Sequence, residues 1–181
     1  MWKERTTPVN KISGNKLIFE YPLMKKYLFV IVLLFAGAGA YAQSVSFGDL
    51  LNLTSMTEAQ SHDLLATAKG FKSEGSQTLN GKSYVQYNKI TKGTPDKTES
   101  VLIGTPVKSA TGVITHEIIY NTAQATDLDN LLAQAKKSNL SLIFQGSDVS
   151  SNIYRFDNSL FRANLSLAFD KKSGNVDVQQ K

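Results

Sequence analysis

The chain contains no cysteine. That single absence removes disulfides, thiolate metal sites and cysteine nucleophiles together. It also removes a lipoprotein-type anchor, which needs a cysteine at the export junction. Whatever fold forms must be held by packing alone. Tryptophan is nearly absent too, the one copy being Trp2. A basic excess is missing from most of the chain. The overall count is 20 basic against 15 acidic residues, but the first 42 residues hold six of the former and two of the latter. Residues 43–181 therefore carry 14 basic and 13 acidic groups, a net of +1. Lys136-Lys137 and Lys171-Lys172 are isolated dipeptides at element ends, so no clustered basic face points to nucleic acid.

Recognisable catalytic motifs are missing as well. There is no G-x-S-x-G turn and no G-x-x-x-x-G-K phosphate loop. Gly75-Ser76-Gln77 and Gly146-Ser147-Asp148 lack the second glycine. His62 and His116 are the two histidines, and neither stands at metal-ligand spacing from another donor. His62 neighbours Asp63, but adjacent helical residues point about 100° apart and form no poised pair. His116 alternates with Ile114, Ile118 and Tyr120, which predicts a half-buried packing histidine. Asp127 and Asp129 could suggest the paired carboxylates of glycoside chemistry, but their place at a helix start gives them a dipole role. The expectation is a non-enzymatic protein without cofactor or metal. The enzyme alternative is an envelope hydrolase using His116 with a nearby hydroxyl or carboxylate.

What is present begins with Met24–Ala42. Met24-Lys25-Lys26 is a positive start, Tyr27–Phe35 an unbroken apolar run, and Ala36–Ala42 a stretch of small residues ending in an A-x-A junction. This is the pattern of a signal peptide cleaved between Ala42 and Gln43, which predicts a periplasmic or secreted protein. A spanning helix needs about 20 apolar residues, more than this run supplies. Residues 1–23 are polar and mixed. They read as an over-extended frame ahead of a start at Met24, or as an unusually long n-region.

The remaining 139 residues, Gln43 to Lys181, suit one domain with a real core. They contain an internal echo: Leu64-Leu65-Ala66-Thr67-Ala68-Lys69 returns as Leu131-Leu132-Ala133-Gln134-Ala135-Lys136. Val85-Gln86-Tyr87 corresponds to Tyr154-Arg155-Phe156, and Thr111-Gly112 to Ser173-Gly174. This order predicts two repeats, about 46–120 and 121–181.

The first helical part should start with Phe47–Leu53, carrying Phe47, Leu50 and Leu51 on one side. A second helix should open on a Ser55/Glu58 capping box. It should stop at Gly70 after burying Leu64, Leu65 and Ala68. Leu128, Leu131, Leu132 and Ala135 follow i, i+3, i+4, i+7 and predict another helix, capped by Thr126. Strands are expected at 71–77, 83–91, 98–103, 113–120, 141–145, 151–157, 160–170 and 175–179. Asn80-Gly81 is a hairpin turn signal. From 161 to 170, Phe161, Ala163, Leu165, Leu167 and Phe169 alternate with polar residues, so one face should be covered and one wet. The predicted fold is α+β in two layers: an antiparallel sheet with helices on one face, built from tandem α-β4 repeats.

This helix-plus-four-strand unit, given twice, resembles the β-lactamase inhibitor protein fold over roughly Ser46 to Lys181. The chain is also similar to small exported bacterial proteins whose Leu-rich helix ends in Lys-Gly-Phe, here Lys69-Gly70-Phe71. The resemblance implies a curved sheet whose open face grips another protein. With Val85, Tyr87, Tyr154 and Phe156 on the core side, Tyr84, Gln86, Arg155, Arg162 and Asn164 fall outward. Tyr and Arg are enriched at recognition hot spots. These five are the candidate binding residues, and a protein, peptide or envelope component is the expected partner. A purely structural envelope role is a further alternative.

Cleavage at Ala42 has a direct spectroscopic consequence. Protein recovered after export should begin at Gln43 by mass spectrometry and show tyrosine emission only. Tryptophan emission in it would place the cleavage site elsewhere.

Overall fold

The computed structural model describes residues 45–93, 96–108 and 112–181. The chain divides into two units, Met1–Ala42 and Gln43–Lys181. The segments read above as a leader and a signal peptide lie outside the described residues. The second unit is an α+β structure dominated by one antiparallel sheet.

Helix α1 (Phe47–Leu53) forms because Ser46 and Asp49 cap it reciprocally. The Ser46 hydroxyl accepts from the Asp49 amide at 3.1 Å, and the Asp49 carboxylate accepts from the Ser46 amide at 2.8 Å. Phe47, Leu50 and Leu53 are buried, and Leu51 packs against the core edge. Helix α2 (Glu58–His62) opens on Thr57 and Gln60, not on the predicted Ser55 and Glu58. Both pairs have the box spacing, and Ser55 is instead bonded back to the carbonyl of Asn52. The helix then widens into a π-helical turn (Asp63–Ala68), where the Lys69 amide reaches the Leu64 carbonyl. It ends as predicted on Gly70, whose φ of +73° suits glycine. The Phe71 amide bonds the Leu65 carbonyl to close the motif. The wider turn changes which residues face inward: Leu65 is buried, but Ala68 is exposed.

Helix α3 (Ala125–Lys137) buries Leu128, Leu131 and Ala135, with Leu132 partly covered. Its N-cap is Gln124, without a side-chain bond, so Thr126 is not the cap. The helix begins one residue before Thr126.

The strands are β1 (Lys72–Leu79), β2 (Lys82–Thr91), β3 (Lys97–Gly104), β4 (Val107–Lys108), β5 (Ile114–Thr115), β6 (Glu117–Thr122), β7 (Ser141–Ser147), β8 (Ser151–Asp157), β9 (Phe161–Ala168) and β10 (Gly174–Gln180). Eight of them form one sheet in the order β1-β2-β3-β6-β10-β9-β8-β7, while β4 and β5 pair separately. Each half of the sheet is a four-stranded meander, and the two meet where β6 pairs β10, from Thr122 opposite Gly174 to Glu117 opposite Gln179.

Two strand predictions need correction. The strand expected at 113–120 is broken at His116, whose amide donates to the Thr54 carbonyl at the end of α1. Its first part folds away to pair with β4. The last inward residue expected on β9 also fails: Phe169 lies beyond the strand and is about half exposed. The chain turns there, and Lys171 adopts a positive φ. The rest of the alternation holds, with Ala163 and Leu165 fully buried.

One face of the sheet presents Val101, Ile103, Ile118, Tyr120, Ala163, Leu165, Val176 and Val178 to the core, and α1 and α3 pack against β6 and β10. Gly174 permits the approach of α3. A Cβ there would lie 2.2 Å from the Ser166 carbonyl oxygen and 2.4 Å from a Leu128 methyl.

The core also holds charge. Lys97 pairs with Asp127 at 2.9 Å, and Thr122 donates to Asp127 at 3.0 Å. Tyr120 donates to Glu99 at 2.6 Å, and Lys97 lies 3.7 Å from Glu99. All five side chains are buried. Asp127 therefore ties α3 to β3 and β6, which is more than the dipole role its sequence position suggested. Burial, then the Glu99 hydrogen bond, push the Tyr120 hydroxyl far above its ordinary pKa.

Asp127→Ala removes the closer of the two carboxylates beside Lys97 and the acceptor of the Thr122 hydroxyl, with Glu99 still facing the ammonium. It should lower stability in urea unfolding by about 1–3 kcal/mol, the cost of leaving a buried polar group unsatisfied. Gly174→Ala should cost about 1–3 kcal/mol by overpacking.

Candidate functional site

The face opposite α1 and α3 carries the alternate residues of each strand. On it lie Gln86 and Tyr84 of β2, Glu117 of β6, Asp177 and Gln179 of β10, Asn164 and Arg162 of β9, and Arg155 of β8. The five sequence-predicted binding residues thus share one face but do not share one site. Four strand-to-strand steps separate β2 from β9, about 19 Å at 4.8 Å each.

Three of them come together. Arg155, Arg162 and Asn164 line a shallow groove of about 600 Å3 over β8 and β9, with Ile143 and Ile153 as its apolar part. Arg162 donates through Nε to Asp157 at 3.2 Å, and Lys181 also pairs with Asp157. Asn164 turns toward Asp177 at 3.4 Å. Arg155 sits differently: its guanidinium lies 5.1 Å from the centre of the Phe144 ring, and among the described residues it forms no ion pair. Phe144 is itself fixed from below. Its ring covers Gly146, where a Cβ would come within 2.6 Å of Cζ. Gly146 therefore makes room for the ring, and the ring gives the guanidinium a flat seat.

The two edges of the sheet differ. β1 carries Lys72 and Glu74, charges that blunt strand addition. β7 reads Ser-Leu-Ile-Phe-Gln-Gly-Ser, with no charge, and Leu142, Ile143 and Phe144 are 42%, 59% and 43% exposed. A bulge between Leu142 and Phe144 is its only irregularity. Sequence reasoning missed this edge. Its available signal was the uncharged apolar triplet between two serine-flanked turns, which equally describes an interior strand.

Tyr84 and Gln86 have other occupations. Tyr84 is buried, not outward in water, and donates to Glu117 at 2.9 Å. Lys82 and Gln179 bond the same carboxylate at 2.7 and 2.8 Å. Gln86 is half-buried and donates to Asn88. Burial alone pushes the Glu117 carboxyl up, but the bonds from Lys82 and Tyr84 outweigh it and hold the group below its ordinary 4.5. Asp177 goes the other way: burial, then the Glu117 charge, raise it above 3.8. One of its oxygens is buried without a partner.

The histidines form no catalytic pair. His116 is buried, and its Nδ1 lies 2.8 Å from the Gly104 carbonyl, not from a carboxylate. No described Ser, Thr or acid is hydrogen-bonded to it, so a nucleophile and base are not assembled there. His62 is exposed, with Nδ1 3.5 Å from the Tyr87 hydroxyl. Among the described residues no group of three His, Asp or Glu is placed to hold a metal, and no helix is long and apolar enough to cross a membrane.

No protein-family profile, no curated protein and no solved structure matches this chain.

The two carboxylates make opposite contributions to stability. The raised Asp177 contributes stability that is present below about pH 3.8 and lost as pH rises through its folded value. The lowered Glu117 contributes stability present above about pH 4.5 and lost as pH falls through its folded value. Asp177→Asn should raise the melting temperature at pH 7 by a few degrees, about 1 kcal/mol. Glu117→Gln should lower it at pH 7, and by less as pH falls below 4.5. Thermal melts across pH 3–8 measure both.

Proposed function

We propose that this is an exported, non-enzymatic binding protein that recognises an extended acidic peptide or protein segment at the Arg155 end of its open sheet face. The observation that carries this reading is Arg155 itself. It is an exposed guanidinium seated on Phe144, without a described carboxylate, beside an uncharged and exposed edge strand. An incoming strand would satisfy the outward backbone groups of β7, and an acidic side chain would meet Arg155. On the helix side of the same edge, Lys136 lies over Tyr154 at 5.7 Å, adding positive charge. The partner's chemistry is thus acidic on both sides of an extended backbone.

The architecture favours the same reading. We take the unit as two α-β4 repeats in two layers. The supports are the like order of the two meanders and the helix echo at residues 64–69 and 131–136. In that scheme β2 and β8 are equivalent strands, and Arg155 occupies the place of Gln86. A duplicated unit with one differentiated half suits a protein that keeps its scaffold and specialises one edge. Export rests on the Met24–Ala42 signal pattern.

A synthetic peptide, acetyl-Thr-Val-Glu-Val-Glu-Val-Thr-amide, tests the proposal. Titrated into 15N-labelled protein, it should shift the amide signals of β7 and of Arg155, and slow hydrogen exchange along Ser141–Ser147. Arg155→Ala should weaken it about tenfold, the scale of a hot-spot loss. A lysine-for-glutamate peptide that binds equally well would refute the acidic preference.

A further inference from the structure

A cavity of about 420 Å3 lies in the other half of the sheet, between the start of α2 and strands β2 and β3. Its apolar wall is Met56, Val85, Tyr87, Ile103, Pro106 and Ile114. That volume and lining are those of small-molecule sites, which combine a mostly apolar surface with a few placed polar groups. One polar side chain in the lining lacks the partner its burial demands, and a second has a ring nitrogen to spare. Ser61 is 2% exposed, and its hydroxyl oxygen has no hydrogen-bond partner. Buried polar groups are almost always paired, so an orphan in a cavity wall is a position that a water or a ligand atom can fill. His116 also lines the cavity. The Gly104 carbonyl can only accept, so Nδ1 donates to it, and Nε2 of the neutral ring is left as an acceptor. No described residue bonds that nitrogen.

The charge of the lining narrows the ligand further. Among the described lining residues there is no Lys or Arg, and the one acid is Glu58. An anionic head group would meet a carboxylate and the Nε2 lone pair with no cation to offset them. A neutral hydroxyl can accept from Ser61 and can donate to His116. We infer that this cavity binds a small neutral molecule with an apolar body and one hydroxyl, of the class of medium-chain alcohols and alkylphenols. The site is separate from the Arg155 groove and stands on different residues.

N-phenyl-1-naphthylamine, a neutral dye that brightens in apolar surroundings, is the probe. Added to the full chain, it should give a saturable rise in emission. Decan-1-ol should displace it about tenfold more effectively than decanoate at pH 8, the scale set by one unpaired buried polar contact. Ser61→Ala should keep dye binding within about twofold and weaken displacement by decan-1-ol about fivefold, again one hydrogen bond's worth. Its melting temperature should be no lower than that of the parent, since the change removes an unpaired buried oxygen. Met56→Trp, which fills the cavity, should abolish the rise while the far-UV spectrum stays unchanged. The inference is overturned by dye binding that persists in folded Met56→Trp, by equal displacement with decanoate, or by undiminished displacement with decan-1-ol in folded Ser61→Ala.

Discussion

The pairing of β6 with β10 is the constraint on which the rest of the structure depends. Among the described residues it is the one place where the two meanders meet edge to edge. On one side it sets Tyr120 opposite Val176 and Ile118 opposite Val178, the floor on which α1 and α3 rest. On the other it sets Glu117 opposite Gln179 and brings Asp177 into the same polar cluster. A one-residue slip would exchange these two sets and place carboxylates beneath the helices. The register is over-determined. Gly174 admits Leu128, and Thr122, directly opposite Gly174, holds Asp127 of the same helix. With no disulfide available, this interlock of helix and seam takes the place of a covalent tie.

Much of the element order was legible because the period-2 pattern is strong where strands are half covered. The hairpin at Asn80-Gly81 and the strand 151–157 follow from turn chemistry and alternation alone. What was not legible has specific causes. Ser55/Glu58 and Thr57/Gln60 are both competent capping pairs, and only the route of the preceding turn chooses between them. The π-helical turn rotates Ala68 outward by a shift that no 3.6-residue template anticipates. His116 looks like one more alternating strand residue, yet its amide is claimed by the Thr54 carbonyl, and that single long-range bond decides it.

The site divides in the same way. Arg155, Arg162 and Asn164 could be set on one sheet face by parity, and they do share a groove. Tyr84 has the same parity, but parity says nothing about which neighbour covers a side chain. Glu117 recruits its hydroxyl, and Gly104 on the next strand leaves room for its ring. The cavity beside Ser61 was out of reach altogether. It is made by residues from α2, β2, β3 and the start of β5, brought together only by the sheet's path.

The bare edge at β7 also bears on how the chain reaches its native state. Until β8 folds back on it, β7 offers two open sides to any other extended chain, and uncharged apolar segments are those that polymerise most readily. The return to β8 is short. Asp148 gathers the amides of Ser150 and Ser151 at 2.8 and 2.7 Å, closing the hairpin through neighbours in sequence. Hairpins of this kind form in about 1–10 microseconds. Fast local closure therefore shortens the time for which both sides of this strand are open, while its outer side stays bare in the finished sheet.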